Sequence, residues 1–127
     1  MLSKIAKTTL AAAAIAGSVM LVPGTASAAP ASPDINSVPC GNSQFLEVYW
    51  HADNNPVQSN ETCLANRGTW DFSCFSTCWL DKLSTGNNRV EYFGDGRWNP
   101  SSPIGKNTIY TFPHFPGGVE MDSVQIF

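Results

Sequence analysis

Apolar and polar residues alternate in short runs along the chain from residue 45 onward, at the spacing expected of half-buried β-strands. Clusters of Gly, Asn, Pro and Ser separate these runs, and none of them keeps a helical period. The sequence therefore predicts an all-β domain. The predicted strands span residues 45–50, 62–65, 79–83, 89–93, 107–112 and 119–127.

The segments between the predicted strands lack a clear period. Residues 52–61 are polar with an Asn-Asn-Pro break and predict a loop, as does the Pro- and Ser-rich segment 98–106. Residues 70–78 mix aromatics with Ser and Cys, which predicts an arch or a single helical turn. Residues 113–118 contain two prolines and two glycines and predict a second arch.

The order of strands and loops recurs in the second half of the chain. Residues 46–49 match residues 90–93, Leu64 matches Ile109, and residues 80–83 match residues 121–124. Two copies of such a unit favour a β-sandwich of two Greek-key motifs. The two motifs would span about residues 40–85 and about residues 86–127. The polar loop 84–88 would join them.

The first 28 residues have the composition of a secretory signal peptide. Lys4 and Lys7 precede an Ala-rich apolar run over residues 8–22, which is short for a membrane span. Pro23-Gly24 then ends any helix, and Ala26-Ser27-Ala28 is a typical cleavage site. We therefore predict a secreted, extracellular protein whose mature chain begins at Ala29.

The mature chain would have a loose N-terminus over residues 29–37, rich in Ala, Pro and Ser, and one domain over residues 38–127. It keeps five basic residues against ten acidic ones, a net charge of −5. An acidic domain without a basic run is a poor ligand for nucleic acid or for an anionic membrane, so neither partner is expected. We expect a monomer.

The four cysteines all lie in the mature chain, and an even number in a small exported domain predicts two disulfides. Three connectivities are possible. Cys40 with Cys63 is preferred, since its loop would stabilise the fold by roughly 3 kcal/mol. Cys74 then pairs with Cys78, which requires a turn or coil between them. A zinc site is the less favoured alternative, because only His51 and His114 could complete the ligand set.

Two strings carry a family resemblance. Residues 63–68 read Cys-Leu-Ala-Asn-Arg-Gly, and residues 83–88 read Leu-Ser-Thr-Gly-Asn-Asn. With the early Cys40 and the strand that starts at Phe45, these strings resemble the secreted, single-domain bacterial group of killer-toxin-like βγ-crystallins. The resemblance covers roughly residues 35–127 and implies a βγ-crystallin-like sandwich. Residues 70–79 are longer than the family pattern.

The resemblance also bears on metal binding, because many βγ-crystallins bind calcium through a short motif in each Greek key. The motif has two consecutive Asn or Asp residues, two free positions, Ser or Thr, and then Ser. Here the copies at 80–85 and 121–126 begin with an apolar residue, which leaves Asp81, Ser84 and Asp122 as ligands. Weak or absent calcium binding is expected, and these carboxylates would then face solvent or cap a backbone turn.

No motif for catalysis stands out, so we expect no enzyme activity. The thiols are expected in disulfides, and neither histidine lies beside a nucleophile string. Most aromatic residues should form the core. Trp98 is the exception, because it lies in a predicted polar loop where it could stack on a sugar ring or anchor a protein partner.

The expected function is therefore that of a secreted, non-enzymatic, βγ-crystallin-like protein. The resemblance implies a killer-toxin-like role against microbes, through cell-wall glycan or a secreted protein. A secreted protease inhibitor is one alternative, with residues 53–60 or 96–106 as its exposed loop. A calcium-binding structural protein is the other.

Overall fold

The computed structural model describes residues 34–127, which form ten β-strands and no helix. No helix of this part of the chain is thus long and apolar enough to cross a membrane. The predicted signal peptide and residues 29–33 lie outside the described residues. The strands are β1 Asn36–Val38, β2 Leu46–Ala52, β3 Asn55–Ala65, β4 Gly68–Asp71, β5 Cys78–Ser84, β6 Val90–Gly94, β7 Arg97–Ile104, β8 Ile109–Thr111, β9 Val119–Met121 and β10 Ser123–Ile126.

The strands form two antiparallel sheets, which confirms the all-β prediction. Sheet one has the order β9–β5–β2–β3–β1, and β8 also pairs with β5. Sheet two has the order β4–β10–β6–β7. Strand β5 therefore has β2 along one edge and shares its other edge between β8 and β9.

The sheets exchange strands between the two halves of the chain. In the first half, β2, β3 and β5 lie in sheet one, whereas β4 pairs with β10 in sheet two. In the second half, β6, β7 and β10 lie in sheet two, whereas β8 and β9 pair with β5 in sheet one. Each half thus contributes at least one strand to the sheet of the other half, so neither sheet is made by one half alone.

Both sheets bury their apolar faces in one core. The alternation of buried and half-buried residues along β2 and β6 places every second side chain inside, as a strand requires. Burial of these side chains is the main stabilising contribution, roughly 1.5–3 kcal/mol for each large one. The buried members of the cluster are Leu46, Val48, Leu64, Cys78, Leu80, Leu83, Val90, Tyr92, Ile104, Met121, Val124 and Ile126.

The connection between β5 and β6 is held from two sides by hydrogen bonds. Thr85 is fully buried, and its hydroxyl donates to the carbonyl of Gly105 at 2.9 Å and accepts from the amide of Thr108 at 2.9 Å. On the other side, Asn88 donates to the carbonyl of Gln44 at 3.0 Å. Residues 85–89 therefore connect β5 to β6, and the polar side chains of Thr85 and Asn88 have a structural role there.

Both disulfides form as preferred from the sequence. Cys40 bonds Cys63, and Cys74 bonds Cys78 with their Cα atoms 5.4 Å apart. The chain between the second pair bends at Phe75 and Ser76, which brings the two sulfurs within reach. Disulfides such as these suggest an oxidising or extracellular environment.

The prediction of a loop at residues 52–61 is wrong. Strand β3 begins at Asn55, and β2 and β3 form a hairpin that turns at Asp53 and Asn54. The first five residues of β3 are exposed, so this part of the strand extends past the core and has no apolar face. Alternation could not reveal it for that reason.

The loop predicted at residues 98–106 is also wrong, because most of it is strand β7. This strand lies at the edge of sheet two and pairs only with β6. Pro100 and Pro103 lack an amide hydrogen and are tolerated in an edge strand. The two prolines suggested a loop, and they lie in residues 100–103, where the register shifts and no residue is paired with β6.

Three smaller differences concern the ends of predicted elements. The last predicted strand is two strands, since the chain leaves sheet one at Asp122 and enters sheet two as β10. Part of the arch predicted at residues 70–78 belongs to β4. Residues 36 and 37 of the predicted loose terminus pair with β3. Leu64 and Ile109 are matched in the sequence but lie on strands of different order. Leu64 lies on β3, the second strand of the first half counted from β2, and Ile109 lies on β8, the third strand of the second half.

The joint between the halves requires glycine at residue 86. Gly86 has a φ of +58°, and a Cβ there would meet the carbonyl carbon of Gln44 at 2.8 Å. We predict that Gly86→Ala lowers the free energy of unfolding by about 2–3 kcal/mol. For a domain of this size the melting temperature should fall by about 8–20 °C.

Gly105→Ala is the matched control, because a Cβ at residue 105 meets no atom within 4 Å and the backbone there is not left-handed. Thermal melting followed by circular dichroism compares the two variants. Equal melting temperatures for both would contradict the role given to Gly86.

Candidate functional site

The most developed cleft lies where one end of the two sheets meets. Its volume is about 390 Å³. Sheet one contributes β5 and β9, sheet two contributes β6 and β7, and the segment before β9 closes one side. A more open groove of about 500 Å³ runs along Ile35 and β4, but it has fewer aromatic and polar side chains. The residues that line the cleft are Trp79, Tyr92, Gly94, Asp95, Arg97, Asn99, Phe115, Gly118, Val119 and Glu120.

Three aromatic side chains form the apolar walls of the cleft. Trp79 is oriented by its indole N–H, which donates to Asp53 at 3.2 Å. Tyr92 packs edge-to-face on Phe112, with the ring centres 5.7 Å apart. Phe115 exposes 59 % of its surface, an unusual fraction for a phenylalanine with no partner to cover it. Two of the three walls are therefore held by packing or hydrogen bonds, and the third is open to a ligand.

Polar groups of both signs surround these walls. Asn99 donates its side-chain amide to the carbonyls of Gly94 and Arg97, both at 3.0 Å, which leaves its carbonyl oxygen as an acceptor. Arg97 makes no ion pair with any of residues 34–127. Asp95 and Glu120 add two carboxylates. The cleft therefore offers both hydrogen-bond donors and acceptors.

The backbone keeps the floor of the cleft narrow. Gly94 lies so close to the carbonyl of Glu120 that a Cβ at residue 94 would overlap it. Only glycine permits this approach of β6 to β9. Apolar walls with a few convergent polar groups are typical of small-molecule binding pockets.

The pKa of Tyr92 is raised above its ordinary value, mainly because burial disfavours the phenolate. Tyr110 raises it further and Arg97 partly opposes the change. The Tyr92 hydroxyl makes no hydrogen bond to any of residues 34–127. It stays protonated at neutral pH and can donate to a ligand in the cleft.

Trp98, the aromatic residue singled out in the sequence, lies outside the cleft. It is half-buried, and its ring packs edge-to-face on Phe93 at 5.3 Å. Because side chains alternate along a strand, its neighbours Arg97 and Asn99 face the cleft and Trp98 faces away. The aromatic residues that line the cleft had been assigned to the core, and no local pattern distinguishes Trp79 or Phe115 from core residues.

The residues of the degenerate calcium motif do not converge. Asp81 and Ser84 lie on β5 three positions apart, about 10 Å along a strand. Asp122 follows β9, whose Met121 pairs with Cys78, so it lies near the far end of β5 from Ser84. Within residues 34–127, the one group of ligand atoms close enough for a metal is Cys40, Glu61 and Cys63, whose sulfurs form a disulfide.

Asp81 has a different role, which a β-bulge creates. Tyr49 pairs with Lys82 and Trp50 with Leu80, so Asp81 is the extra residue of β5. Its carboxylate lies 2.8 Å from Nδ1 of His51. No hydroxyl or thiol of residues 34–127 is hydrogen-bonded to His51, and Ser59 lines the same shallow hollow.

A cluster of polar and charged side chains, Glu47, Tyr49 and Lys82, lies on the outer face of sheet one. The hydroxyl of Tyr49 donates to Glu47 at 2.9 Å, and the ammonium of Lys82 lies 4.3 Å from the centre of the Tyr49 ring. The hydrogen bond to Glu47 raises the pKa of Tyr49 to about 12, and burial and the charges of Glu47 and Glu61 add to this effect. Ionised Tyr49 would place a second negative charge beside Glu47.

The two segments proposed as inhibitory loops are not loops over most of their length. Residues 53–60 are the hairpin turn and the start of β3, and residues 96–106 are mainly β7. Within these segments the register with the neighbouring strand shifts, and residues 56–59 and 100–103 have no paired residue on that strand.

Calcium should leave the stability of the protein unchanged. Asp81 is bonded to His51 and its motif partners lie too far apart to share one ion. We predict that millimolar CaCl₂ or a chelator shifts the melting temperature by less than about 1 °C, because an ion that does not bind the folded state cannot stabilise it. A rise that saturates with calcium concentration would contradict this geometry.

Replacing Glu47 should lower the pKa of Tyr49. Because the pKa of Tyr49 is raised in the folded protein, this side chain contributes stability at pH values below its ordinary pKa of about 10. The contribution is lost as the pH rises from 10 to about 12. We predict that Glu47→Gln brings the pKa of Tyr49 back toward 10. The loss of stability between pH 10 and about 12 should then be smaller than in the unaltered protein.

NMR titration of ring-labelled tyrosine resolves Tyr49 from Tyr92 and Tyr110. Glu91→Gln is the control, because Glu91 lies on sheet two and does not contribute to the shift. An unchanged Tyr49 titration in Glu47→Gln would show that the hydrogen bond is not its cause.

Comparison of the chain with protein-family models, with curated proteins and with solved structures finds no match.

Proposed function

We propose that the protein is a secreted, non-enzymatic, βγ-crystallin-like protein that binds cell-wall glycan through the cleft between its sheets, with a killer-toxin-like role against microbes. The cleft carries this proposal. Its combination of aromatic walls with hydrogen-bonding groups of both signs suits a sugar, which has apolar ring faces and a rim of hydroxyls.

The order of strands supports the βγ-crystallin-like part of the proposal. In a Greek key the fourth strand returns to lie beside the first. Here β5 lies beside β2 in sheet one and β10 lies beside β6 in sheet two. Two such motifs that exchange their third strands would form a sandwich whose halves fold together.

The contents of the cleft favour an uncharged or cationic glycan over an acidic one. Arg97 is the one basic side chain among its lining residues, against Asp95 and Glu120. Phe115 and Trp79 offer ring faces on which a sugar can pack, while Asn99 and Tyr92 can bond its hydroxyls. Glucans, mannans and chitin meet these requirements, and polymers of acidic sugars do not.

Extracellular location agrees with this role. Two disulfides stabilise a small domain where thiols are oxidised, and both cysteine pairs hold segments that reach the surface. A protein of this kind would meet cell-wall polymers after export.

Direct binding tests the proposal. The mature protein, residues 29–127, is incubated with insoluble β-glucan, mannan, chitin and peptidoglycan, and the fraction retained is measured. We predict retention on at least one uncharged polymer, and growth inhibition of cells whose wall contains it. No retention on any of the four would overturn the proposal.

Phe115→Ala identifies the cleft as the binding site. Phe115 is largely exposed, so its removal should not affect folding, whereas the loss of one aromatic wall should weaken glycan binding tenfold or more. Ile109→Ala is the matched control, since Ile109 is also exposed and does not line the cleft. Equal retention of both variants would place the binding site elsewhere.

A further inference from the structure

The segment between Cys74 and Cys78 presents the most exposed aromatic side chain of residues 34–127. Phe75 exposes 92 % of its surface, although a phenylalanine in a small domain is usually buried. The five-residue segment Cys-Phe-Ser-Thr-Cys is closed by a disulfide and contains no charged residue. We call this segment the Phe75 loop.

Both sides of the Phe75 loop are fixed to the sandwich. Before it, Phe72 packs edge-to-face on Trp50, with the ring centres 5.5 Å apart, and the Phe72 amide donates to the carbonyl of Asp122 at 2.9 Å. After it, Cys78 is buried in the core as the first residue of β5. The loop therefore cannot move as a free segment.

Asp53 holds the loop from the neighbouring hairpin turn. Its carboxylate accepts from the hydroxyl of Ser76 at 3.1 Å and from the indole of Trp79 at 3.2 Å. Its amide donates to the carbonyl of Thr77 at 2.8 Å. Two hydrogen bonds to loop residues, a third to the adjacent Trp79 and one disulfide thus fix the five residues, and the Phe75 side chain is the part of the loop that is exposed to solvent.

This combination favours binding over a structural role for Phe75. Exposed apolar surface weakens solubility and contributes nothing to the core. A fixed loop loses little conformational entropy on association, so one protruding aromatic residue can dominate the binding energy. The rest of the loop is too small to form a standard protein–protein interface, which buries about 800 Å² on each side.

The partner must therefore recognise one aromatic side chain in a deep pocket together with a short stretch of backbone. An endopeptidase of the chymotrypsin type does this, because an apolar slot takes the aromatic residue that precedes the scissile bond. From the exposure and fixation of the Phe75 loop, we infer that the protein is an inhibitor of such endopeptidases, with Phe75 as the residue that enters the specificity pocket.

The covalent closure explains why the loop would inhibit and not serve as a substrate. Hydrolysis of the Phe75–Ser76 bond would add one water and leave a carboxyl group on Phe75 and an amine on Ser76. The disulfide between Cys74 and Cys78 would still join the two ends. The cleaved segments therefore stay in place in the protease and do not leave as products.

This inference does not depend on glycan binding. Phe75 does not line the cleft, and Phe115 does not belong to the loop. Phe75→Ala should therefore abolish protease inhibition and leave glycan retention unchanged, and Phe115→Ala should do the reverse. Failure of one function is then distinguishable from failure of the other.

The test measures the activity of chymotrypsin and trypsin on chromogenic peptides in the presence of the mature protein. We expect inhibition of chymotrypsin at near-stoichiometric concentration, and a loss of at least 100-fold for Phe75→Ala. Phe75→Arg should gain inhibition of trypsin, whose pocket carries an aspartate, and lose inhibition of chymotrypsin. A purely structural role of Phe75 predicts no such exchange.

Phe127→Ala is the matched control, because Phe127 is an exposed phenylalanine outside the loop. Thermal melting checks that each variant is folded. The inference is overturned if the unaltered protein inhibits neither enzyme, if Phe75→Ala inhibits chymotrypsin as well as the unaltered protein does, or if folded Phe75→Arg does not inhibit trypsin.

Discussion

The exchange of strands between the two halves is the constraint on which the rest of the structure depends. Strand β4 completes the sheet of the second half, and β8 and β9 complete that of the first. A single core then covers both sheets, so burial of Leu80 or Val124 stabilises both halves at once. The cleft lies where β5 and β9 of sheet one meet β6 and β7 of sheet two, so both sheets position its walls.

The sequence predicted the strands that have an apolar face and failed on those that have none. β2, β5 and β6 alternate cleanly because one face of each lies in the core. The outer part of β3 and most of β7 lie at an edge or beyond the core, so their side chains carry no alternation. Their pairing with the neighbouring strand is interrupted at residues 56–59 and 100–103, so neither burial nor a continuous ladder leaves a pattern in the sequence there.

The candidate site was less predictable than the fold for a related reason. Trp98 was chosen because its surroundings are polar, yet a strand places adjacent residues on opposite faces, and Arg97 and Asn99 face the cleft. Asp81 was a candidate ligand of a degenerate motif for which weak or absent calcium binding was expected, and a one-residue bulge brings it to His51. Of the three possible disulfide pairings, the one preferred from loop length is the one that forms.

The two prolines of β7 have a consequence for how sheet two can meet another molecule. An edge strand offers free amide and carbonyl groups to which a strand of another molecule can add, and sheets that grow in this way aggregate. Pro100 and Pro103 remove two of those amides from the exposed edge of sheet two. At the opposite edge, β4 is four residues long. Both edges of this sheet therefore offer few backbone groups to an added strand, which opposes aggregation by sheet extension.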